Sequence, residues 1–262
     1  MALVAPGCTN DFDGLLDLGV GAATSSSSSN AESTPGAGGS PTGGGGQPAG
    51  GQTGSGGSAG AETGGTGGVT VKCAPGNSDQ FEDAFDDNVP TGWMNYASGS
   101  ASIEETQGEL RMHVSDTLGV GNFAGYLTID PLDLRGCSIL LRAVALPADD
   151  VQAYIGFGDE SSDNSVAIGA DAGTISFCVA ALGVQECEDQ AHVATDVWWR
   201  IRTDSTSLFM ETSADGAVWA IRRTLSPLPD YVASAYANIG AGSQDPVQGS
   251  YDATLDDFNL PP

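Results

Sequence analysis

Lysine and arginine are scarce in this sequence. Among its 262 residues, 8 are Lys or Arg and 34 are Asp or Glu, so the formal net charge is −26 at pH 7. A chain with this charge repels phosphate backbones, which excludes nucleic acid as the expected partner. Solubility or adaptation to salt explains the acidity, and binding of divalent cations is the sharper alternative.

Long apolar runs and helical periodicity are also lacking. No stretch of 18 apolar residues occurs, so the sequence predicts no membrane-spanning helix. After residue 73, apolar residues recur at every second position, as in GELRMHV at residues 108–114. Roughly a dozen such segments follow one another without a helical segment between them, which predicts an all-β fold, an antiparallel jelly-roll β-sandwich.

Two segments carry more detail. In VWWRIRTD, strand alternation places Trp199 on one face and Trp198 on the other, together with Arg200 and Arg202. In SLFMETSADGAVWAIRRT, a hairpin is expected with Asp215 and Gly216 at the centre of a tight type I′ turn.

The first part of the chain has a different composition. Residues 36–68 contain no large apolar side chain, and residues 21–68 hold 18 of the 38 glycines together with many Ser and Thr residues. Such a segment cannot bury enough surface to offset its ordering entropy, so residues 9–72 are predicted to form a disordered tether. Residues 73–262 are then the folded domain.

The N-terminus, MALVAPGCTNDFDG, resembles the end of a bacterial lipoprotein signal. In that family a small residue precedes a Cys that becomes lipidated, which assigns Cys8 to lipidation and residues 1–8 to the remnant of a truncated signal. The resemblance implies a lipid bilayer as partner through this anchor, at the outer surface of the cell envelope, with secretion as the alternative location. The other reading is that Cys8 is an ordinary thiol.

The cysteine count fits an exported domain. Without Cys8, four of the five cysteines remain, and an even number predicts two disulfides. Cys178 and Cys187 flank a short turn, so local pairing is favoured, which leaves Cys73 for Cys137. Free buried thiols are the alternative, and no CxxC spacing indicates a zinc or redox site.

Four segments together resemble the concanavalin A-like lectin/glucanase superfamily: FEDAFDDNVPTGW, GELRM, WWRIRTDSTSLFMETSADGAVW and ATLDDFNL. The resemblance covers residues 80–260 and implies two curved sheets of six or seven strands. The superfamily contains sugar-binding modules, glucanases and laminin G-like domains.

Paired catalytic carboxylates are not evident in the sequence. Glucanases of the superfamily carry an E-x-D-x-E strand, whereas Glu105 and Glu109 here flank Gln107 and Gly108. A Ser-His-Asp triad is possible from composition, but no G-x-S-x-G motif occurs and His113 fits a solvated strand face. The protein is therefore predicted not to be an enzyme, with a diverged glycoside hydrolase as the less favoured alternative.

Aromatic and acidic side chains are the candidates for ligand binding. Trp93, Tyr96 and Trp198 are the candidates for stacking on a polysaccharide or other glycan, with burial in the core as the alternative for each. Candidate calcium ligands are Asp159 and Asp163 in one loop, and Asp86 and Asp257 near the first and last strands. The alternative is that these carboxylates are solvated and bind no cation. The expected function is a non-catalytic carbohydrate-binding module at the cell surface or secreted, with a structural or adhesive envelope protein as the rival.

Overall fold

The computed structural model describes residues 82–87, 90–115, 121–148, 151–161 and 163–260. Within them, fourteen β-strands form two seven-stranded sheets, here called sheet A and sheet B, and all paired strands are antiparallel. A 3₁₀ turn, Asp230–Ala233, is the single helical element in these ranges. The predicted β-sandwich is therefore confirmed.

The strand order alternates between early and late parts of the chain, as expected for a jelly roll. Sheet A runs in the order β1 (Trp93–Ala97), β4 (Asn122–Thr128), β13 (Tyr236–Ser243), β6 (Gln152–Gly158), β7 (Ser165–Ala170), β8 (Thr174–Ala181) and β9 (Val184–Ala191). Sheet B runs in the order β12 (Ala220–Leu225), β11 (Leu208–Ser213), β10 (Trp198–Thr203), β5 (Ser138–Ala145), β14 (Tyr251–Asp256), β3 (Glu109–Val114) and β2 (Ser102–Thr106).

The core lies between the inward faces of the two sheets. Every second residue of the central strands contributes to it, for example Ile155 of β6 and Ile139 of β5. Trp199 is completely buried in this core, whereas Trp198 lies on the opposite face of β10. The predicted alternation of the two tryptophans is thus confirmed.

The segment FEDAFDD at residues 81–87, which has the composition of a strand, does not form one in its described part. Residues 82–87 make one β-bridge, between Asp83 and Phe258, and Phe85 then adopts a left-handed backbone with φ 49°. This conformation ends the extended segment after a single pair. The aromatic segment WMNYA, which contains Trp93 and Tyr96, forms β1 at the edge of sheet A.

The tight type I′ turn is found elsewhere than predicted. Between β11 and β12, Asp215 does not adopt positive φ, and its carboxylate accepts hydrogen bonds from the backbone N–H groups of Ala217 and Val218 in a longer loop. Two-residue loops with positive φ at both positions are formed by Gln107-Gly108 and by Leu182-Gly183. In the described part of the chain, no helix is long and apolar enough to cross a membrane.

Candidate functional site

The outer face of sheet A, which points away from sheet B, carries a straight row of aligned residues. The register of six strand pairs places them side by side in the order Tyr96, Gly125, Gly240, Tyr154, Gly169, Ser176 and Asp189. Six spacings of about 4.8 Å make this row roughly 29 Å long. A surface of this length with small residues between larger ones can accommodate an extended ligand.

Two tyrosines span the centre of this row. The hydroxyl groups of Tyr96 and Tyr154 hydrogen-bond to each other above the intervening strands. A Cβ atom on Gly125 would lie 2.4 Å from the hydroxyl of Tyr96, and one on Gly240 would lie 2.6 Å from that of Tyr154. The side chains therefore lie low over the two glycines, and we call these four residues the tyrosine bridge.

Glycine is required at both central positions of the tyrosine bridge. At Gly125, a Cβ would also approach the carbonyl oxygen of Ile239 to 2.2 Å, which is far inside van der Waals contact. Burial raises the pKa of both tyrosines, so their hydroxyls stay protonated and uncharged. The bridge is accordingly neutral, with Tyr154 and Phe123 buried in one cluster and the ring of Tyr96 half-buried against them.

Buried polar atoms also lie on the outer face of sheet A, at Asn238 near the tyrosine bridge and at Gln185 on the edge strand β9. On the same face, the Oδ1 atom of Asn238 and the Oε1 atom of Gln185 are buried and accept no hydrogen bond. Asn238 lies over Gly156, where a Cβ atom would approach Oδ1 to 2.9 Å. A buried acceptor without a donor is unfavourable, so a ligand hydroxyl that donated to it would be stabilising.

Sheet A presents one carboxylate on its outer face among the described strand residues. Asp189 accepts a hydrogen bond of 2.7 Å from the hydroxyl of Ser176, at the end of the row. Glu188 points the other way and pairs with Arg223 at 3.3 Å. Glycoside hydrolysis generally uses two carboxyl groups, about 5 Å apart in retaining enzymes.

The predicted sugar-stacking residues are distributed over three environments. Tyr96 belongs to the tyrosine bridge. Trp93 is 3% exposed, packs against Tyr126 and donates its indole N–H to Asp83, so it is a core residue and offers no stacking surface. Trp198 faces outward on sheet B, opposite Arg142, but is only 7% exposed. The expectation of exposed Trp93 and Trp198 faces is therefore wrong.

The predicted calcium ligands are engaged in other contacts or stand apart. Asp159 accepts hydrogen bonds from Ser161 and Asn164 within its own loop, and Asp163 lies exposed beside them. Asp257 contacts Arg142 at 3.1 Å, and Asp86 is exposed on the segment before β1. Among the residues that the structure covers, no group of three or more acidic, His or Cys side chains could hold a metal ion.

The cysteines follow the sequence-based pairing where they can be seen. Cys178 and Cys187 form a disulfide between β8 and β9 on the outer face of sheet A. Cys137 is disulfide-bonded. Its predicted partner Cys73 and the predicted lipidation residue Cys8 lie outside the described residues, so the pairing of Cys73 with Cys137 stays a prediction.

An acidic pair between the sheets was not anticipated. Glu105 is 8% exposed and accepts a hydrogen bond from Tyr126, while its Oε2 atom has no partner. Asp83 accepts hydrogen bonds from the indole of Trp93 and from the backbone of Phe85. Burial raises the pKa of Asp83, and the nearby charge of Glu105 raises it further.

Solved structures place this architecture among known folds. The endo-1,3-beta-glucanase catalytic domain of Thermotoga petrophila superposes with a TM-score of 0.52 and 11% identity, covering 68% of this chain and 94% of that one. The beta-glucanase of Bacillus licheniformis gives 0.50 and 12%, covering 68% and 96%. SCLam, a non-specific endo-beta-1,3(4)-glucanase from family GH16, gives 0.51 and 11%, covering 68% and 89%.

The chain has the concanavalin A-like jelly-roll fold. This confirms the fold that the sequence resemblance implied. No protein-family model and no curated protein matches the chain. The similar structures are glucanases, and this finding contradicts the sequence-based prediction that the protein is not an enzyme, which we withdraw.

Proposed function

We propose that the protein is a polysaccharide-active domain of the glycoside hydrolase type, which binds a β-glucan chain across the outer face of sheet A. The tyrosine bridge is the observation that carries this proposal. Its half-buried member, Tyr96, supplies uncharged aromatic surface beside a long row of small residues, and sugar rings stack on such surfaces. The likeness of the fold to glucanases supports the choice of ligand.

Neighbouring polar groups suit a sugar ligand. Asn238, on the same face of β13 as Gly240, carries an amide group that would hydrogen-bond to a sugar hydroxyl after rotation of its half-buried side chain. Asp189, at the end of the row, is the carboxylate that this face offers for proton transfer. Stacking, hydrogen bonding and a carboxylate thus lie on one surface.

The binding part of the proposal is tested with the full chain and soluble β-1,3- and mixed-linkage β-1,3-1,4-glucans. We expect saturable binding that weakens by a factor of about 2 to 12 in Tyr96→Leu, because one stacked ring contributes roughly 0.5–1.5 kcal/mol. Tyr251→Phe is the matched control, since it removes a tyrosine hydroxyl from sheet B that bonds only to the backbone of Gln248. Equal losses in both variants, or no binding to any glucan, would reject the proposed surface.

The catalytic part is measured as release of reducing ends from the same glucans. We expect Asp189→Asn to slow the release by at least about 100-fold, which is the usual contribution of a general acid or base, while glucan binding is retained. Glu188→Gln, on the same strand but facing inward, serves as the control. Release that is unaffected by Asp189→Asn would remove Asp189 from the reaction.

We further propose that the protein is exported and anchored at the cell envelope through lipidated Cys8. The Gly- and Ser-rich composition of residues 21–68 and the Cys178–Cys187 disulfide support this, because disulfides persist in oxidising compartments. Metabolic labelling with a palmitate analogue tests it. Label that persists in Cys8→Ser would refute lipidation at this position.

A further inference from the structure

A second cluster of reactive groups lies on the outer face of sheet B, whereas the tyrosine bridge lies on the outer face of sheet A. Ser102 of β2 stands directly opposite His113 of β3, and Asp252 of β14 stands opposite His113 on its other side. The three residues form one row across three adjacent strands, which we call the serine–histidine row. The sequence contains no motif that would reveal it, because the residues are far apart along the chain.

The hydrogen bond between His113 and Asp252 orients the imidazole ring within this row. The Nδ1 atom of His113 lies 2.6 Å from Oδ1 of Asp252. Because β2 and β14 flank β3 on opposite sides, a ring whose Nδ1 atom bonds to Asp252 can direct its Nε2 atom towards the side of β3 on which Ser102 stands. Asp at Nδ1 and Ser on the Nε2 side is the arrangement in which Asp orients His and His activates Ser.

Space for a substrate adjoins the row. A surface pocket of about 500 Å³ is lined by all three residues together with Glu104, Arg111 and Thr254. Residues directly opposite each other on neighbouring strands have Cβ atoms about 4.5–5.5 Å apart, so rotation of the exposed Ser102 side chain can bring its hydroxyl towards Nε2. Arg111, whose guanidinium pairs with Glu109 at 2.9 Å, also lines the pocket.

We propose that Ser102, His113 and Asp252 form a second reactive site, which hydrolyses small carboxylic esters. Ser102 Oγ attacks the ester carbonyl carbon and passes its proton to Nε2 of His113. The carbon–oxygen bond of the ester breaks, and the leaving alcohol takes that proton. Water then attacks the acyl-serine with His113 as base, which releases the carboxylic acid and restores Ser102.

The solvent exposure of His113 and Asp252 limits the rate enhancement that we expect from general-base assistance. The side chains of His113 and Asp252 are 45% and 78% exposed, so solvent screens their interaction. General-base assistance ranges from about 10²- to 10⁴-fold, and we place this row at the lower end.

The test is covalent labelling of the full chain with a fluorophosphonate probe, followed by peptide mass spectrometry. We expect the label on Ser102, its rate reduced by roughly 100-fold in His113→Ala and strongly in Asp252→Asn. Hydrolysis of p-nitrophenyl acetate should fall in parallel in Ser102→Ala. Unfolding midpoints of the variants establish that they remain folded.

A matched control is available at the same end of the sheet. Ser100 and Ser115 hydrogen-bond to each other's backbone carbonyls and have no histidine partner, so Ser115→Ala should leave the labelling rate unchanged. No label on Ser102, equal labelling of Ser100 or Ser115, or labelling independent of His113 would overturn the proposal.

Discussion

The two sheets of the sandwich differ in their content of glycine and arginine. The strands of sheet A contain six glycines and no arginine or lysine, whereas the strands of sheet B contain six arginines and no glycine. Both sheets nevertheless have seven strands and share one core. The difference therefore concerns the outer faces: the glycines of sheet A leave room for two tyrosine side chains over its centre, whereas sheet B carries long charged side chains.

On sheet B, the arginines are neutralised locally. Glu211, whose side chain is 4% exposed, contacts Arg200 at 2.6 Å and Arg202 at 3.2 Å. The guanidinium groups of Arg200 and Arg202 also lie over the rings of Trp219 and Phe209, at 4.0 and 4.2 Å. Burial lowers the pKa of Arg200, and Glu211 opposes that shift. These side chains thus form a closed network over β10 and β11 on the outer face of sheet B.

Breaking that network should have the largest effect on stability. Glu211→Ala leaves two partly buried arginines without their carboxylate, and we expect the free energy of unfolding to fall by about 3–5 kcal/mol. Urea denaturation measures this loss. Glu109→Ala is the control, because its pair with the exposed Arg111 should contribute at most about 1 kcal/mol. A similar loss for both variants would show that burial of the network is unimportant.

Adding a side chain to the centre of sheet A should have the next largest effect. In Gly125→Ala, the new Cβ atom meets the carbonyl oxygen of Ile239, which is backbone and cannot rotate away. We expect a loss of about 1–3 kcal/mol from overpacking. Gly173→Ala is the comparison, because the nearest atom to its Cβ would be at 3.5 Å. An unchanged unfolding midpoint in Gly125→Ala would mean that the tyrosine bridge is not held low over the sheet.

The smallest expected effect is a pH dependence from the acidic pair between the sheets. The pKa of Asp83 is raised above 3.8 in the folded state, so the folded protein binds this proton more tightly than the unfolded chain. Its contribution to stability is therefore complete at low pH and is lost as the pH rises through the folded-state pKa. Asp83→Asn cannot titrate, so its stability relative to the natural protein should improve between pH 3.5 and pH 7.

Urea unfolding at the two pH values tests the Asp83 prediction, with the exposed Asp130→Asn as control. A difference between the natural protein and Asp83→Asn that is the same at both pH values would exclude Asp83 as the titrating group. A difference of opposite sign would mean that the native state favours the ionised carboxylate.

Local patterns predicted the fold but not the site. Alternation placed Trp199 inside and Trp198 outside, because the side-chain period of a strand is local. Alternation could not say that Trp198 would be covered on its outer face. The segment around Asp83 has strand-like composition, yet the left-handed Phe85 ends it after one pair.

The tyrosine bridge depends on information that a single sequence does not display. Tyr96, Gly125, Tyr154 and Gly240 come from four strands that are neighbours only because the chain crosses between sheets several times. Glycines within strands indicate that another group approaches the backbone closely, but they do not identify the side chains that fill the space. The serine–histidine row is hidden in the sequence for the same reason, since Ser102 and Asp252 become neighbours of His113 only through strand pairing.

The disulfide between β8 and β9 has a consequence for how these molecules meet one another. β9 is the edge strand of sheet A, and its Glu186, Glu188 and Asp189 discourage strand pairing with another chain. β8 behind it is largely apolar and would be an adhesive edge if β9 detached. The disulfide between Cys178 and Cys187 fastens the charged strand at the edge, which disfavours edge-to-edge pairing between crowded copies of the protein.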